Sequence, residues 1–244
     1  MIEARGLEKS FGEVRALAGV DLTVPDGSIT GLLGPNGAGK TTALRILYTV
    51  LRPDAGNAWV DGHDVVGQPL EVQRRIGVLP SDGRGLYQRL TARENVRYFG
   101  RLQGLSGAEL ERRIDELILW LDMADIADRR TEGFSTGQQL KVGIARALIH
   151  RPRNVLLDEP TSGLDVMATR ALRGFIRRLR DEGRSVLFSS HVMQEVGELC
   201  ERVVVVGDGR VLADGTPAEL LEATGQTGLE DAFVAALGTR EGLA

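Results

Sequence analysis

Cysteine is almost missing from this sequence: Cys200 stands alone in 244 residues. No intrachain disulfide can form, and a reducing compartment fits. No apolar run approaches the roughly 18–20 residues needed to cross a bilayer. The first residues, Met1-Ile-Glu-Ala-Arg5, lack the apolar core of a signal peptide. Action at a membrane is therefore expected through a partner. Positive charge is not in excess either. The net charge is −4, and the arginine pairs at 74–75, 112–113, 129–130 and 177–178 are scattered, as on solvated faces. No nucleic-acid partner is expected. Repeats and low-complexity segments are absent. Lysine is scarce: of 30 basic residues only Lys9, Lys40 and Lys141 are lysine. What is present is a 42% hydrophobic content, enough for the core of one large α/β domain with a small subdomain.

One of the three lysines sits in the most informative stretch. The apolar run Ile29 to Leu33 reads as a strand, and Gly34-Pro-Asn-Gly-Ala-Gly-Lys-Thr41 follows it. This is the G-x-x-x-x-G-K-[ST] phosphate-binding loop. Gly34, Gly37 and Gly39 let backbone N–H groups approach phosphate oxygens without a Cβ in the way. The helix begun by Lys40, Thr41 and Thr42 points its positive end at the same anion. Pro35, Asn36 and Ala38 complete the loop. Lys40 is a compact point charge suited to lie between phosphates, where an arginine fork is not. It is expected on the β- and γ-phosphates, and the Thr41 hydroxyl on Mg²⁺.

Strands are expected at Ile2 to Leu7 and Val20 to Val24, with Phe11 in a loop between them. The Phe11 ring suits either a core or an adenine stack. Pro53 to Gly56 reads as a turn, and Trp59-Val60 and Ile76 to Leu79 as strands. Pro80 to Gly85 is a loop. From Thr91 to about Arg151 the periodicity is helical, with Thr91 and Ser106 as N-caps and Ser106-x-x-Glu109 as a capping box. Leu110, Ile114, Leu117, Ile118 and Leu121 form one stripe. Strands resume at Asn154 to Leu157, Ser185 to Phe188 and Arg202 to Val206. Gly207-Asp-Gly209 then makes a hairpin into Arg210 to Leu212. Helices are expected at about Met167 to Arg180 and Met193 to Leu199, with a short one through Leu229, Phe233 and Leu237. The expected architecture is one α/β domain. Its core spans about 1–82 and 153–215, a helical subdomain about 83–152, and a tail 216–244.

Asp158-Glu159 ends an apolar strand, where open α/β sheets place their ligands. Asp158 can hold Mg²⁺ through its water shell, and Glu159 can orient and deprotonate a water. A solvated acidic strand end is the alternative. Phe134-Ser-Thr-Gly-Gln138 precedes a helix over Gln139 to Leu148. Ser135 is a good N-cap, and Gly137 leaves the helix end open to an anion. An ordinary capped helix reads the same way.

Together these residues resemble the ATP-binding subunits of ABC transporters over essentially the whole chain. Gly34–Thr42 looks like their Walker A motif and Val155–Glu159 like Walker B with the catalytic glutamate. Phe134–Gln138 looks like the signature, usually Leu-Ser-Gly-Gly-Gln, with Phe134 for leucine and Thr136 for the first glycine. Ser162-Gly-Leu-Asp165 looks like the D-loop, His191 like the switch histidine, and Phe11 like the aromatic on adenine. The resemblance implies a P-loop NTPase core with an antiparallel β subdomain and an inserted helical subdomain. It implies ATP and Mg²⁺ as ligands and a head-to-tail dimer, homomeric or with a paralogue. In that dimer Ser135, Thr136, Gly137 and Gln138 meet the partner's ATP. A separate polytopic permease is implied, which places the chain on the cytoplasmic face of the cell membrane.

Gly85–Asn95 and Ser190–Val196 look most like the sodium-efflux (Nat-type) exporter ATPases, so sodium is one expected cargo. A soluble ABC-type ATPase without a transport role is the alternative. Such proteins typically carry two cassettes or a long coiled-coil insertion, and neither is seen here. A non-hydrolysing sensor fits poorly with intact Lys40, Asp158 and Glu159. One family feature is missing, the glutamine after a Leu-Pro step that binds Mg²⁺. Counting back from Gly85, Asp82 takes its place, or Ser81 if one residue is inserted. Asp82 is the expected metal ligand because a carboxylate binds a hard cation better than a hydroxyl does; a plain polar turn before Gly83 is the alternative.

Overall fold

The computed structural model describes residues 1–81 and 85–238. The chain opens with two long strands, β1 (Ile2–Phe11) and β2 (Val14–Val24), then β3 (Ile29–Leu33) and helix α1 (Lys40–Leu47). Next come β4 (Ala55–Val60), β5 (His63–Asp64), α2 (Pro69–Gln73) and β6 (Ile76–Leu79). A helical stretch follows: α3 (Ala92–Leu102), α4 (Gly107–Trp120) and α5 (Thr136–Leu148). Then strands and helices alternate through β7 (Asn154–Leu157), α6 (Val166–Asp181), β8 (Ser185–Ser190), α7 (Met193–Leu199) and β9 (Arg202–Gly207). The described chain closes with β10 (Arg210–Gly215), α8 (Pro217–Thr224) and α9 (Leu229–Leu237).

The strands form two sheets, β2-β1-β4-β5, antiparallel throughout, and β10-β9-β3-β8-β7-β6, parallel except for the β9–β10 hairpin. The parallel strands of the large sheet are largely apolar, as expected where both faces are covered, whereas the edge strand β10 alternates exposed and part-buried residues. Successive side chains alternate faces. Val155 and Leu157 enter one core together with Ile114, Leu140, Phe175 and Val196. Leu156, Leu187 and Val204 enter the other with Leu44, Leu47, Leu7 and Leu22. The antiparallel sheet and α1 cover one face, and the remaining large helices the other. Burying each of these Leu, Val or Phe side chains stabilises the fold by about 1.5–3 kcal/mol. The expected stripe on α4 is buried in full, Leu110 to Leu121. The end of α5 lies directly on β6: a Cβ on Gly77 would overlap the Ala147 carbonyl oxygen.

Several elements differ from expectation. β1 and β2 are longer than foreseen and meet in a tight hairpin at Phe11 and Val14; three register shifts break the alternation that would have marked them. Ala55 and Gly56 begin β4 instead of closing a turn. Ser106 is the N-cap of α4 but its side chain caps nothing, and no capping box forms with Glu109. Gly107, with φ 58°, turns the chain into the helix there and carries Ser106 Oγ away from the first-turn amides. α5 starts at Thr136, three residues early. α2, β5 and α8 were not foreseen. The signal for α8 was present: Thr216-Pro-x-Glu219 forms a complete capping box.

Candidate functional site

The carboxyl ends of β3, β8, β7 and β6 lie side by side, and each delivers part of one site. After β3 the chain turns through 34–39 into α1. The three loop glycines were expected to clear Cβ atoms from the phosphates, and the structure gives two of them a different reason. A Cβ on Gly39, which has φ 100°, would overlap the Ala16 carbonyl oxygen, and one on Gly34 would overlap the Val206 carbonyl oxygen. Gly34 and Gly39 therefore let the loop pack against the protein itself. Gly37 differs: a Cβ there would meet nothing within 4 Å, and its φ of 82° is what a side chain would resist. Of the three, Gly37 and Gly39 line the loop's cleft, together with Ala16, Asn36, Ala38, Lys40, Thr41, Thr42 and Glu159; Gly34 and Pro35 do not. Lys40 is 4% exposed, and its ammonium donates to Gly34 O at 2.6 Å and Pro35 O at 3.0 Å. It also lies 3.5 Å from Glu159 Oε1.

Asp158, 2% exposed, collects three hydroxyls. Thr41 Oγ1 and Ser189 Oγ donate to its Oδ1 at 3.1 and 2.7 Å. Ser81 Oγ donates to Oδ2 at 2.9 Å. Ser189 also accepts from the Glu159 amide at 2.8 Å. Glu159 itself has φ 44°, left-handed for a non-glycine residue, a conformation that costs roughly 1–2 kcal/mol. That backbone aims the Glu159 carboxylate into the cleft, between Lys40 and His191; His191 Nδ1 lies 3.4 Å from its Oε2. His191 follows directly on β8 and is half exposed. An ammonium, a carboxylate and an imidazole thus meet at one point, beside a second, hydroxyl-laden carboxylate. Such a group can stabilise phosphoryl charge, activate a water and hold a cation.

For Mg²⁺ the donor set fits. Thr41, Ser81 and Asp158 present only oxygen, and one carboxylate suffices for a cation that takes much of its shell from phosphates and water. Among the described residues no cluster of three or more His, Cys, Asp or Glu could hold a metal by itself. Asp82, the expected ligand, lies outside the described residues. Ser81, the alternative ligand, does reach Asp158.

Phe134 to Gln138 stands apart from this group. Ser135 caps α5 in a full capping box, its Oγ accepting from Gln138 N at 3.2 Å and its amide donating to Gln138 Oε1 at 3.1 Å. Phe134 is buried under Arg129, 5.7 Å from the ring centroid. Thr136 and Gly137 lie against the start of α6. A Cβ on Gly163 would sit 3.8 Å from Thr136 Cγ2, and one on Gly137 3.8 Å from Ala168 Cβ. Asp165 caps α6, accepting from Ala168 N at 2.7 Å. Phe134–Gln138 does not line the cleft of the 34–42 loop. Phe11 ends β1, 51% exposed, with the Lys9 ammonium 5.8 Å from its ring centroid. Its ring lines a groove with Tyr48, Val50 and Leu51, not the loop cleft.

Residues 17–162 match the model of the ABC transporter family. The chain belongs to that family. As an ABC transporter ATP-binding domain it is an ATPase with the α/β cassette fold, carrying an antiparallel sheet beside the main one. It is 46% identical to the ABC transporter ATP-binding protein NatA of Bacillus subtilis (strain 168), over 92% of this chain and 91% of NatA. It is 42% identical to the daunorubicin/doxorubicin resistance ATP-binding protein DrrA of Streptomyces peucetius, over 92% of this chain and 68% of DrrA. A solved ATP-binding cassette, MJ0796, dimeric and in a post-hydrolysis state with ADP and Pi, superposes with a TM-score of 0.80. It is 27% identical, and the match covers 88% of this chain and 98% of that one.

The serines behind the acidic pair, Ser189 and Ser190, were not read from the sequence as site residues. A serine pair ending an apolar strand reads only as the end of a strand. The one available signal was its place just before His191.

Proposed function

We propose that this ABC ATPase is the energy-supplying subunit of an exporter and acts through a separate membrane permease. The observation that carries the hydrolytic role is the position of Glu159, its carboxylate held between Lys40 and His191 next to the hydroxyl-bonded Asp158. In this reading Lys40 and the 34–42 backbone bind the β- and γ-phosphates, with the open side of Gly37 turned to the nucleotide. Glu159 orients the attacking water and takes its proton, and His191 holds Glu159 and the γ-phosphate region in register. Bound Mg²⁺ would offset phosphate charge, held by Thr41 and Asp158 with Ser81 or Asp82 alongside. Phe11 supplies a ring for adenine.

The signature group lies apart from the loop of its own chain, so it acts on the ATP of a second copy or of a paralogue. Gly137 offers its N–H and Ser135 its hydroxyl at the start of α5, and Asp165 fixes the adjoining turn. Two such cassettes, head to tail, enclose two nucleotides. No described helix is long and apolar enough to cross a membrane, so the transport path belongs to the permease, with this chain on its cytoplasmic face. Sodium is the first cargo to test, from the likeness of 85–95 and 190–196 to sodium-efflux exporters. The name of DrrA makes an anthracycline the second.

The test is affinity purification of the full chain from detergent-solubilised membranes. A polytopic membrane protein should co-purify, and vesicles holding the pair should show ATP-driven movement of radiolabelled sodium or of daunorubicin. Recovery of the chain alone, with ATPase activity indifferent to membranes, favours the soluble alternative.

A further inference from the structure

Among the described residues, Glu195 is the most deeply buried carboxylate outside the site already described. It sits in the first turn of α7, 3% exposed, and makes no ion pair among the described residues. A carboxylate held in that way is unfavourable unless hydrogen bonds satisfy it. Two do, both on Oε2: Thr161 Oγ1 donates at 3.0 Å and Ser190 Oγ at 2.9 Å. These donors belong to different loops. Thr161 lies two residues after Glu159, in the turn that leads through Gly163 to Asp165. Ser190, itself 2% exposed, immediately precedes His191. Its hydroxyl accepts from the Val192 amide at 3.0 Å, so it grips the chain on both sides of His191.

We propose that Glu195 is a positioning residue for hydrolysis, a buried clamp that fixes His191 relative to Glu159 by tying the 190–192 segment to the 159–165 turn. One oxygen receives both hydroxyls, so neither loop can shift without breaking a bond to the other. The 3.4 Å approach of His191 to Glu159 is the distance that this clamp sets. The same link joins the turn carrying Asp165 to His191, so displacement of one loop is passed to the other. The inference rests on the assignment of Glu159 and His191 to hydrolysis.

The experiment is a double-mutant cycle in the full chain, with kcat and KM for ATP measured separately and melting temperature as a folding control. Glu195→Ala should lower kcat by roughly tenfold to a hundredfold, the scale of a displaced catalytic group, and leave KM within about twofold. Glu195→Gln keeps an oxygen for both hydroxyls and should restore most of kcat. In a His191→Ala background, Glu195→Ala should add less than about twofold. If it lowers kcat by the same factor in both backgrounds, Glu195 does not act through His191 and the proposal is overturned, while the assignment of His191 stands. If His191→Ala alone keeps wild-type turnover, that assignment fails and the proposal falls with it. Should Glu195→Ala not fold, Thr161→Val, which keeps the shape and removes one donor, replaces it in the cycle. Its kcat loss should likewise vanish without His191, and an unchanged kcat for Thr161→Val overturns the clamp.

Discussion

Ser81 Oγ donates to Asp158 Oδ2 at 2.9 Å across 77 positions of sequence. The chain just after β6 thereby touches the buried carboxylate at the end of the neighbouring strand β7. In sequence Asp82 is the favoured replacement for the missing glutamine and Ser81 the alternative; Asp82 lies outside the described residues, and Ser81 reaches the carboxylate. Ser81→Ala removes a hydrogen bond to a charged acceptor and should raise the Mg²⁺ concentration for half-maximal ATPase by roughly threefold to tenfold. Asp82→Ala should be measured beside it. An unaltered Mg²⁺ dependence in Ser81→Ala together with a raised one in Asp82→Ala returns the role to Asp82.

Lys40 is buried, and its amine already touches two loop carbonyls and Glu159. Lys40→Ala removes both of those hydrogen bonds, leaving Pro35 O only the Ala38 amide, and takes away the only lysine of the loop. ATP binding or hydrolysis should be abolished, as read by nucleotide fluorescence and phosphate release. Wild-type turnover would refute the phosphate-binding role.

Glu159→Gln preserves shape and removes the base. Turnover should drop by roughly 10²–10⁴-fold, while ATP still binds and holds two chains together. Size-exclusion chromatography with ATP and Mg²⁺ should show a dimer. A monomer hydrolysing ATP at the normal rate would contradict the assignment.

Gly137 has room for a side chain at its own position, since a Cβ there makes only an ordinary contact with Ala168. Gly137→Asp should therefore fold, with a melting temperature close to wild type. Its carboxylate should repel the partner's γ-phosphate and block dimer closure without weakening ATP binding to the single chain. Unchanged hydrolysis would count against the head-to-tail arrangement.

His150 carries a pH dependence of stability. Its Nε2 lies 2.9 Å from Ile76 O and its Nδ1 is buried without a partner. Burial holds its pKa below the ordinary 6.5. The unfolded chain therefore binds the proton first as pH falls. The stabilisation is complete above about pH 6.5 and is lost as pH drops from there through the folded-state value. Chemical unfolding at pH 7.5 and 5.5 should show less stability at the lower pH, and His150→Gln should reduce that difference. Equal slopes in both proteins would show that other groups set the acid limit.

The 34–42 loop, Asp158 and Glu159 stood out in the sequence because each lies in a short local pattern at the end of an apolar strand, whereas His191 was legible only through the family resemblance. The separate reasons for Gly34, Gly37 and Gly39 were not, since two of them depend on carbonyls of β2 and β9 that only the fold brings near. The helical stretch was legible from the Leu110–Leu121 stripe. Ser81 was legible as an alternative ligand, but the hydroxyl of Ser189 and the carboxylate of Glu195 were hidden, because Ser189 reaches Asp158 and Glu195 reaches Thr161 only through the fold. Serine has no periodicity to betray it, and a glutamate in a first helical turn looks like any dipole-favoured acid. The long β1–β2 hairpin was hidden for the opposite reason: its bulges break the alternation on which strand recognition depends.

The strand order of the large sheet has a bearing on how the protein is made. β8 lies between β3, which carries the phosphate loop, and β7, which carries Asp158. A nascent chain released as far as β7 already contains Lys40, Thr41, Asp158 and Glu159, yet the place between their two strands is still to be filled by residues 185–190. A ligand stabilises a chain only through the site that chain has formed. The site is complete only once β8 has entered between its two predecessors, bringing Ser189 against Asp158 and His191 against Glu159 in the same movement.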